Sequence, residues 1–235
     1  MTTGTLFGVG VGPGDPELIT LKGYRLLQKC PVISFPAKKM GAESYAQKII
    51  NSHVKEDGKE LLGLYFPMTR DQEVLKKEWE NTVAILSGKL LEGKDVVFIT
   101  EGDPFLYSTF IHLMRKMNEH HPEIPVEVVP GISSVNGAAA RLGLPLADGD
   151  EVFAIVPATE DKEDMKQALL HHDAVVFIKV AKVIDQMVDL LTEINLIGKA
   201  AVVTRVTSEE EKIFRDVAAL KGTKLDYLSL MVVRK

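Results

Sequence analysis

The sequence predicts an α/β protein of two domains with a cleft between them. Two observations lead there. Short apolar runs rich in β-branched residues alternate with longer amphipathic stretches, the pattern of βαβ units. Near the midpoint a polar segment holding two prolines, Glu119-His120-His121-Pro122-Glu123-Ile124-Pro125, forbids a continuous helix and reads as a linker. The expected domains are residues 1–119, with a mostly parallel sheet, and 120–235, with a mixed sheet. A length of 235 residues suits one large or two small domains.

The elements follow in order. Residues 6–11 read as a first strand, closed by a Gly/Pro turn. A helix over 18–28, a strand over 31–35, a helix over 43–50 and a strand over 61–65 come next. Residues 71–91 form a long amphipathic helix with Val74, Leu75, Trp79, Val83, Leu86 and Leu90 on one side. Asp71 stands where a cap belongs and Gly93 just past the end. A strand over 95–100 and a helix over 107–117 complete the first domain. Beyond the linker the pattern gives strand 126–129, helix 133–142, strand 152–156 and helix 162–170. Strand 174–178, helix 183–194 and strand 200–204 follow. Alternation over 212–217 and 227–233 suits a partly antiparallel sheet. No internal repeat is visible.

Composition narrows the function. Apolar residues make 46% of the chain and charged residues 26%, an ordinary globular balance. Cys30 is the only cysteine, so no intrachain disulfide forms, and it reads as a buried apolar residue. The formal charge of −5 argues against nucleic acid or anionic lipid as partners. That excess is uneven: 15 basic and 15 acidic side chains lie up to Glu119, against 13 and 18 beyond it. No apolar run reaches the 18 or so residues of a spanning helix, and Met1-Thr2-Thr3-Gly4 lacks a signal-peptide pattern. A cytoplasmic location is the simplest expectation.

Three turns carry chemistry. Gly8-Val9-Gly10-Val11-Gly12-Pro13-Gly14-Asp15 closes the first strand with residues that allow positive φ and close approach of a ligand or a neighbouring strand. It is not a dinucleotide fingerprint: the spacing differs, Pro13 removes a donor, and Phe35-Pro36-Ala37-Lys38-Lys39 offers no acid to hold a ribose. None of the Gly-Lys pairs at Gly58, Gly88, Gly93 and Gly198 is followed by Ser or Thr, which excludes a P-loop. The second turn, Thr100-Glu101-Gly102-Asp103-Pro104, follows a buried strand, where open α/β sheets bind ligands; equally, Asp103 and Pro104 could simply start a helix. The third, Val129-Pro130-Gly131-Ile132-Ser133-Ser134, leads into a small-residue helix. That helix could receive a ligand at its N-terminus or pack closely on the sheet.

Taken together, in this order and spacing, the motifs resemble the tetrapyrrole methylase family, enzymes that use S-adenosylmethionine. The first extends through Pro16-Glu17-Leu18-Ile19-Thr20, and the resemblance spans nearly the whole chain. Tyr107-Ser108-Thr109-Phe110 after the second turn, Phe35-Pro36-Ala37-Lys38, Phe66-Pro67-Met68-Thr69 and Leu142-Gly143-Leu144-Pro145 are similar to the branch that methylates C20 of precorrin-2 or its cobalt form. Uroporphyrinogen methylases carry an Asp-Arg pair after the second strand, where this chain has Phe35-Pro36-Ala37, so their proposed acid/base carboxylate does not carry over.

The resemblance implies methyl transfer from S-adenosylmethionine, leaving S-adenosylhomocysteine, with the cofactor between the two domains. Pro13, Glu101, Gly102, Asp103, Leu106 and Tyr107 would line it from the first domain. Ser133, Ser134, Ile178, Lys179 and Val206 would complete it. Tyr227 is the candidate proton acceptor. The substrate carries eight carboxylates, for which Lys38, Lys39 and Arg70, beyond predicted strand ends, are the candidate cations. The neutral first half would then face the substrate. The adjacent pairs His120-His121 and His171-His172 do not share one helix face as metal ligands do, so no protein metal site is expected. Members of the family are typically homodimers, which sets that expectation here. Another corrin-pathway methylase, a diphthine synthase, a dinucleotide-dependent oxidoreductase and a non-catalytic tetrapyrrole-binding protein are the competing readings.

Overall fold

The computed structural model describes residues 2–37, 44–54, 58–67 and 71–235. They form two compact units, Met1–Ser133 and Ser134–Lys235.

The first unit runs β1 (Leu6–Gly10), α1 (Leu21–Lys29), β2 (Val32–Ala37), α2 (Tyr45–Ile50), β3 (Glu60–Tyr65) and α3 (Gln72–Leu91). It continues with β4 (Val96–Thr100), α4 (Phe110–His120) and β5 (Val126–Val129). Its five strands lie in the order β3-β2-β4-β1-β5, and every pairing is parallel. Parallel strands buried on both faces need continuous apolar runs, and β1 and β4 are buried at all their positions. Alternate residues supply the two faces. Phe7, Val9, Ile33, Phe35, Val97 and Ile99 meet Leu27, Ala46, Ile49 and Ile50 of α1 and α2. Leu6, Val32, Val96 and Phe98 meet Val83, Leu86 and Leu90 of α3 and Phe110, Leu113 and Met117 of α4. Each such large side chain contributes roughly 1.5–3 kcal/mol by leaving water. Gly8 admits α4: a Cβ there would lie 2.2 Å from the Phe110 ring.

Helix α3 takes the expected face only in part. Val83, Leu86 and Leu90 are buried and Trp79 packs against Phe66, with ring centroids 4.8 Å apart and planes tilted by 53°, but Val74 is exposed. Asp71 caps it as its position implies, accepting from the N–H groups of Glu73 and Val74.

Two expectations change. The polar segment after Glu119 is not the boundary between the units. Ile124 is buried, Leu6 N–H donates to Pro125, and β5 then pairs in parallel with β1. The segment is a return connection that brings β5 onto what would be the open edge of β1. The helix expected over 107–117 starts instead at Phe110, because local side chains capture the backbone before it (below).

The second unit contains α5 (Ser134–Leu142), β6 (Phe153–Pro157), α6 (Lys162–His171), β7 (Ala174–Ile178) and α7 (Ile184–Glu193). It ends with β8 (Ala200–Thr204), β9 (Lys212–Phe214) and β10 (Ser229–Arg234). The strand order is β6-β7-β10-β8-β9. β6 and β7 are parallel, while β10 is antiparallel to β7 and β8, and β9 to β8. Val175, Phe177, Val202, Met231 and Val233 pack under Met165 and Leu169 of α6 and Ile184, Met187 and Leu191 of α7, while α5 lies against β10. Among the described residues no helix is long and apolar enough to cross a membrane.

Candidate functional site

In the first unit β1, β4 and β5 end level, with Gly10 opposite Thr100 and Val9 opposite Val129. Their following turns therefore meet at one end of the sheet, where open parallel sheets place ligands. The meeting is a backbone contact that excludes side chains. A Cβ on Gly131 would lie 2.2 Å from the Gly102 carbonyl oxygen, and one on Gly10 2.7 Å from the Gly131 Cα. Gly12, at φ +87°, forms a bridge with Gly102, whose N–H donates to the Gly12 carbonyl at 2.8 Å.

The sequence around this junction builds its own supports. Asp15 accepts from the Glu17 N–H and starts a 3-10 turn with Pro16 in its first position. Thr20 then caps α1 by accepting from the Gly23 N–H at 3.1 Å. Pro13 is buried and its carbonyl accepts from the Tyr45 hydroxyl at 3.5 Å. Asp15 and Thr20 of the first motif thus each have a local task.

Asp103 does not cap α4. Its Oδ1 accepts from the Phe105 N–H at 2.8 Å and its Oδ2 from the Gly131 N–H at 3.0 Å, so one carboxylate ties the turn after β4 to the turn after β5. Ser108 donates to the buried Thr100 hydroxyl and accepts from the Phe110 N–H, and Tyr107 between them takes φ +55°. These hydroxyl bonds delay the helix to Phe110. The turn leaves Phe105 and Tyr107 about half exposed beside the exposed Glu101, with Leu106 partly covered. Ile132 is exposed on the next turn, and Ser133 behind it is buried. Aromatic and aliphatic surface next to a carboxylate suits a ligand with an apolar ring and positive charge.

In the second unit another set gathers at one sheet end. Leu230 of β10 lies opposite Ile178, and Ser229 opposite Thr204. Lys179, exposed and left-handed at φ +61°, follows β7. Arg205, buried Val206 and Thr207 follow β8, and the Arg205 N–H donates to the Leu228 carbonyl at 2.8 Å. Tyr227, about half exposed, leads into β10. Arg205 pairs with Asp226 through Nε at 2.9 Å and with Glu210 through a terminal nitrogen at 2.8 Å.

Within each unit, then, the residues singled out from the sequence are brought together: Pro13, Glu101, Gly102, Asp103, Leu106, Tyr107 and Ser133 in the first, Ile178, Lys179, Val206 and Tyr227 in the second. Ser134 opens α5. Lys38, Lys39 and Arg70 lie outside the described residues. Sequence reasoning missed Glu211, Arg141 and Asp226 as supports of the turn after β8. Its one accessible signal was an acidic run, Glu209-Glu210-Glu211, directly after a strand end.

The profile of the tetrapyrrole (corrin/porphyrin) methylases matches residues 5–220. A protein of Methanocaldococcus jannaschii named a probable cobalt-precorrin-2 C(20)-methyltransferase is 37% identical, over 98% of this chain and 96% of its own length. A Sinorhizobium protein named precorrin-2 C(20)-methyltransferase is 30% identical, over 98% and 95%. The solved structure of a uroporphyrin-III C-methyl transferase from Thermus thermophilus, complexed with S-adenosylhomocysteine, superposes with a TM-score of 0.68. It is 21% identical, and the match covers 99% of this chain and 98% of that one.

Proposed function

Because the chain belongs to the tetrapyrrole methylase family, we propose that it is an S-adenosylmethionine-dependent C-methyltransferase acting at C20 of precorrin-2 or cobalt-precorrin-2 in corrin-ring synthesis. The observation that carries this is near-full-length similarity to a protein named for that reaction, at 37% identity.

The residues present fit the cofactor. Phe105, Leu106, Tyr107 and Ile132 offer apolar and aromatic surface to an adenosine, and Glu101 a negative charge beside it. Pro13, Gly102, Asp103 and Ser133 shape that side; Ser134, Ile178, Lys179 and Val206 complete the binding set. S-adenosylmethionine brings a methyl group already activated on a sulfonium. The protein's task is then mainly to orient two bound reactants, which can lower a barrier by roughly 7–11 kcal/mol. No activated side-chain nucleophile is needed, in keeping with the absence of a Ser-His-Asp or Cys-His pattern in the sequence. Tyr227 takes the proton released from C20 while passing its own phenolic proton on to solvent, and Lys38, Lys39 and Arg70 hold the carboxylates of the tetrapyrrole. Cobalt, where present, enters with the substrate. The working enzyme is a cytoplasmic homodimer without a nucleic-acid partner.

Calorimetric titration with S-adenosylhomocysteine and with NADH tests the cofactor; binding of NADH alone overturns the reading. Mass spectrometry of products from metal-free and cobalt-loaded precorrin-2, side by side, tests the reaction. A methylated product from neither overturns the C20 assignment in favour of another methylase of the family.

A further inference from the structure

Val206, a cofactor contact in the reading above, sits between two non-glycine residues in left-handed conformation, Arg205 at φ +46° and Thr207 at φ +64°. Such residues are strained and persist only where their surroundings hold them. Arg205 is held by its N–H bond to Leu228, by its pairs with Asp226 and Glu210, and by the Ser208 hydroxyl donating to its carbonyl at 2.8 Å. Thr207 is held differently. Its N–H donates to Glu211 Oε2 at 2.6 Å. The Glu211 side chain is only 8% exposed, and its second oxygen accepts from Arg141 Nε of α5 at 2.7 Å. One carboxylate thus links the turn carrying Val206 to the helix that begins at Ser134.

We propose that Glu211 is a positioning residue for cofactor binding: it locks the strained turn 205–207 and, through Arg141, fixes α5 against it. The inference rests on the methyltransferase reading. An N–H bond to a charged acceptor is among the stronger ones, and this one falls on the left-handed residue itself.

The test uses the full chain and S-adenosylhomocysteine. Glu211→Ala is expected to weaken binding about tenfold, or about 1.4 kcal/mol, and to raise KM for S-adenosylmethionine while kcat changes less than about threefold. Adding Thr207→Gly should restore most of the affinity, because glycine holds positive φ without a clamp. Glu211→Gln keeps an acceptor for Thr207 and should lose only about threefold. Arg141→Met, at an exposed position, guards against a misfolded Glu211→Ala and should weaken binding by about threefold. Parent-like affinity in Glu211→Ala or Arg141→Met, or no recovery with Thr207→Gly, overturns the proposal. A parent chain that fails to bind S-adenosylhomocysteine overturns the methyltransferase reading itself, and this inference with it.

Discussion

Asp103 Oδ2 accepts a hydrogen bond from the Gly131 N–H at 3.0 Å while Oδ1 accepts from Phe105. The aspartate of the Gly-Asp-Pro turn therefore shapes two turns at once, and its carboxylate is already engaged by the backbone. Asp103→Asn offers one acceptor oxygen to two N–H groups and turns an NH2 against the other. A loss on the order of 1.5–3 kcal/mol in denaturant unfolding is expected, with weaker S-adenosylhomocysteine binding. Unchanged stability and affinity would show that the two bonds carry little.

The glycine junction predicts a sharper effect. Gly131→Ala places a Cβ 2.2 Å from the Gly102 oxygen and 2.8 Å from Gly10 backbone atoms, and backbone on both sides cannot yield cheaply. A loss of at least about 3 kcal/mol is expected. Gly198→Ala, with nothing within 4 Å, should stay within about 0.5 kcal/mol of the parent. Equal melting temperatures for the two variants would contradict the junction.

Much of this was legible in the sequence wherever one local rule decided the outcome. β7 and β8 begin and end where their β-branched apolar runs do, β5 where its valines alternate around Glu127, and the Asp71 cap is read directly from chemistry. Long-range pairing was not legible. Nothing local says that the residues after Pro125 return to β1, so the unit boundary falls at Ser133 instead of Glu119. The start of α4 was misplaced because the Ser108 and Thr100 hydroxyls compete with helix bonds across eight residues. The site motifs stood out as glycines and prolines, but the clamp behind them, Glu211 with Arg141, is 70 residues apart in sequence.

Tyr227 should separate proton transfer from cofactor binding. If it accepts the C20 proton, Tyr227→Phe lowers kcat by about 100-fold and leaves S-adenosylhomocysteine affinity at the parent value. Unchanged turnover in single-turnover kinetics assigns the proton to another acceptor.

For the substrate, Lys38→Glu with Lys39→Glu is expected to raise KM for the polycarboxylate at least tenfold, with KM for S-adenosylmethionine unchanged. An unaltered substrate KM in steady-state assays would move the anion site elsewhere.

Burial, reinforced by the nearby Asp95 carboxylate, pushes the Cys30 thiol up to about 11 from an ordinary 9.0. The folded state thus binds the thiol proton more tightly than the unfolded chain. This contribution to stability is complete below pH 9 and declines as pH rises towards 11. Native protein at pH 8 should resist a thiol reagent and react fully once denatured. Rapid labelling of the native state would show Cys30 to be accessible.

β10 occupies the middle of the second sheet, with β7 and β8 on its two sides. Synthesis on the ribosome delivers β6, β7, β8 and β9 before it, so both central partners wait with open apolar edges for a strand that does not yet exist. Until β10 emerges, Val175 to Phe177 and Ala201 to Val203 are free to pair with each other out of register or with a neighbouring nascent chain. The two halves of the second sheet are therefore joined only by the strand that is made last among its five.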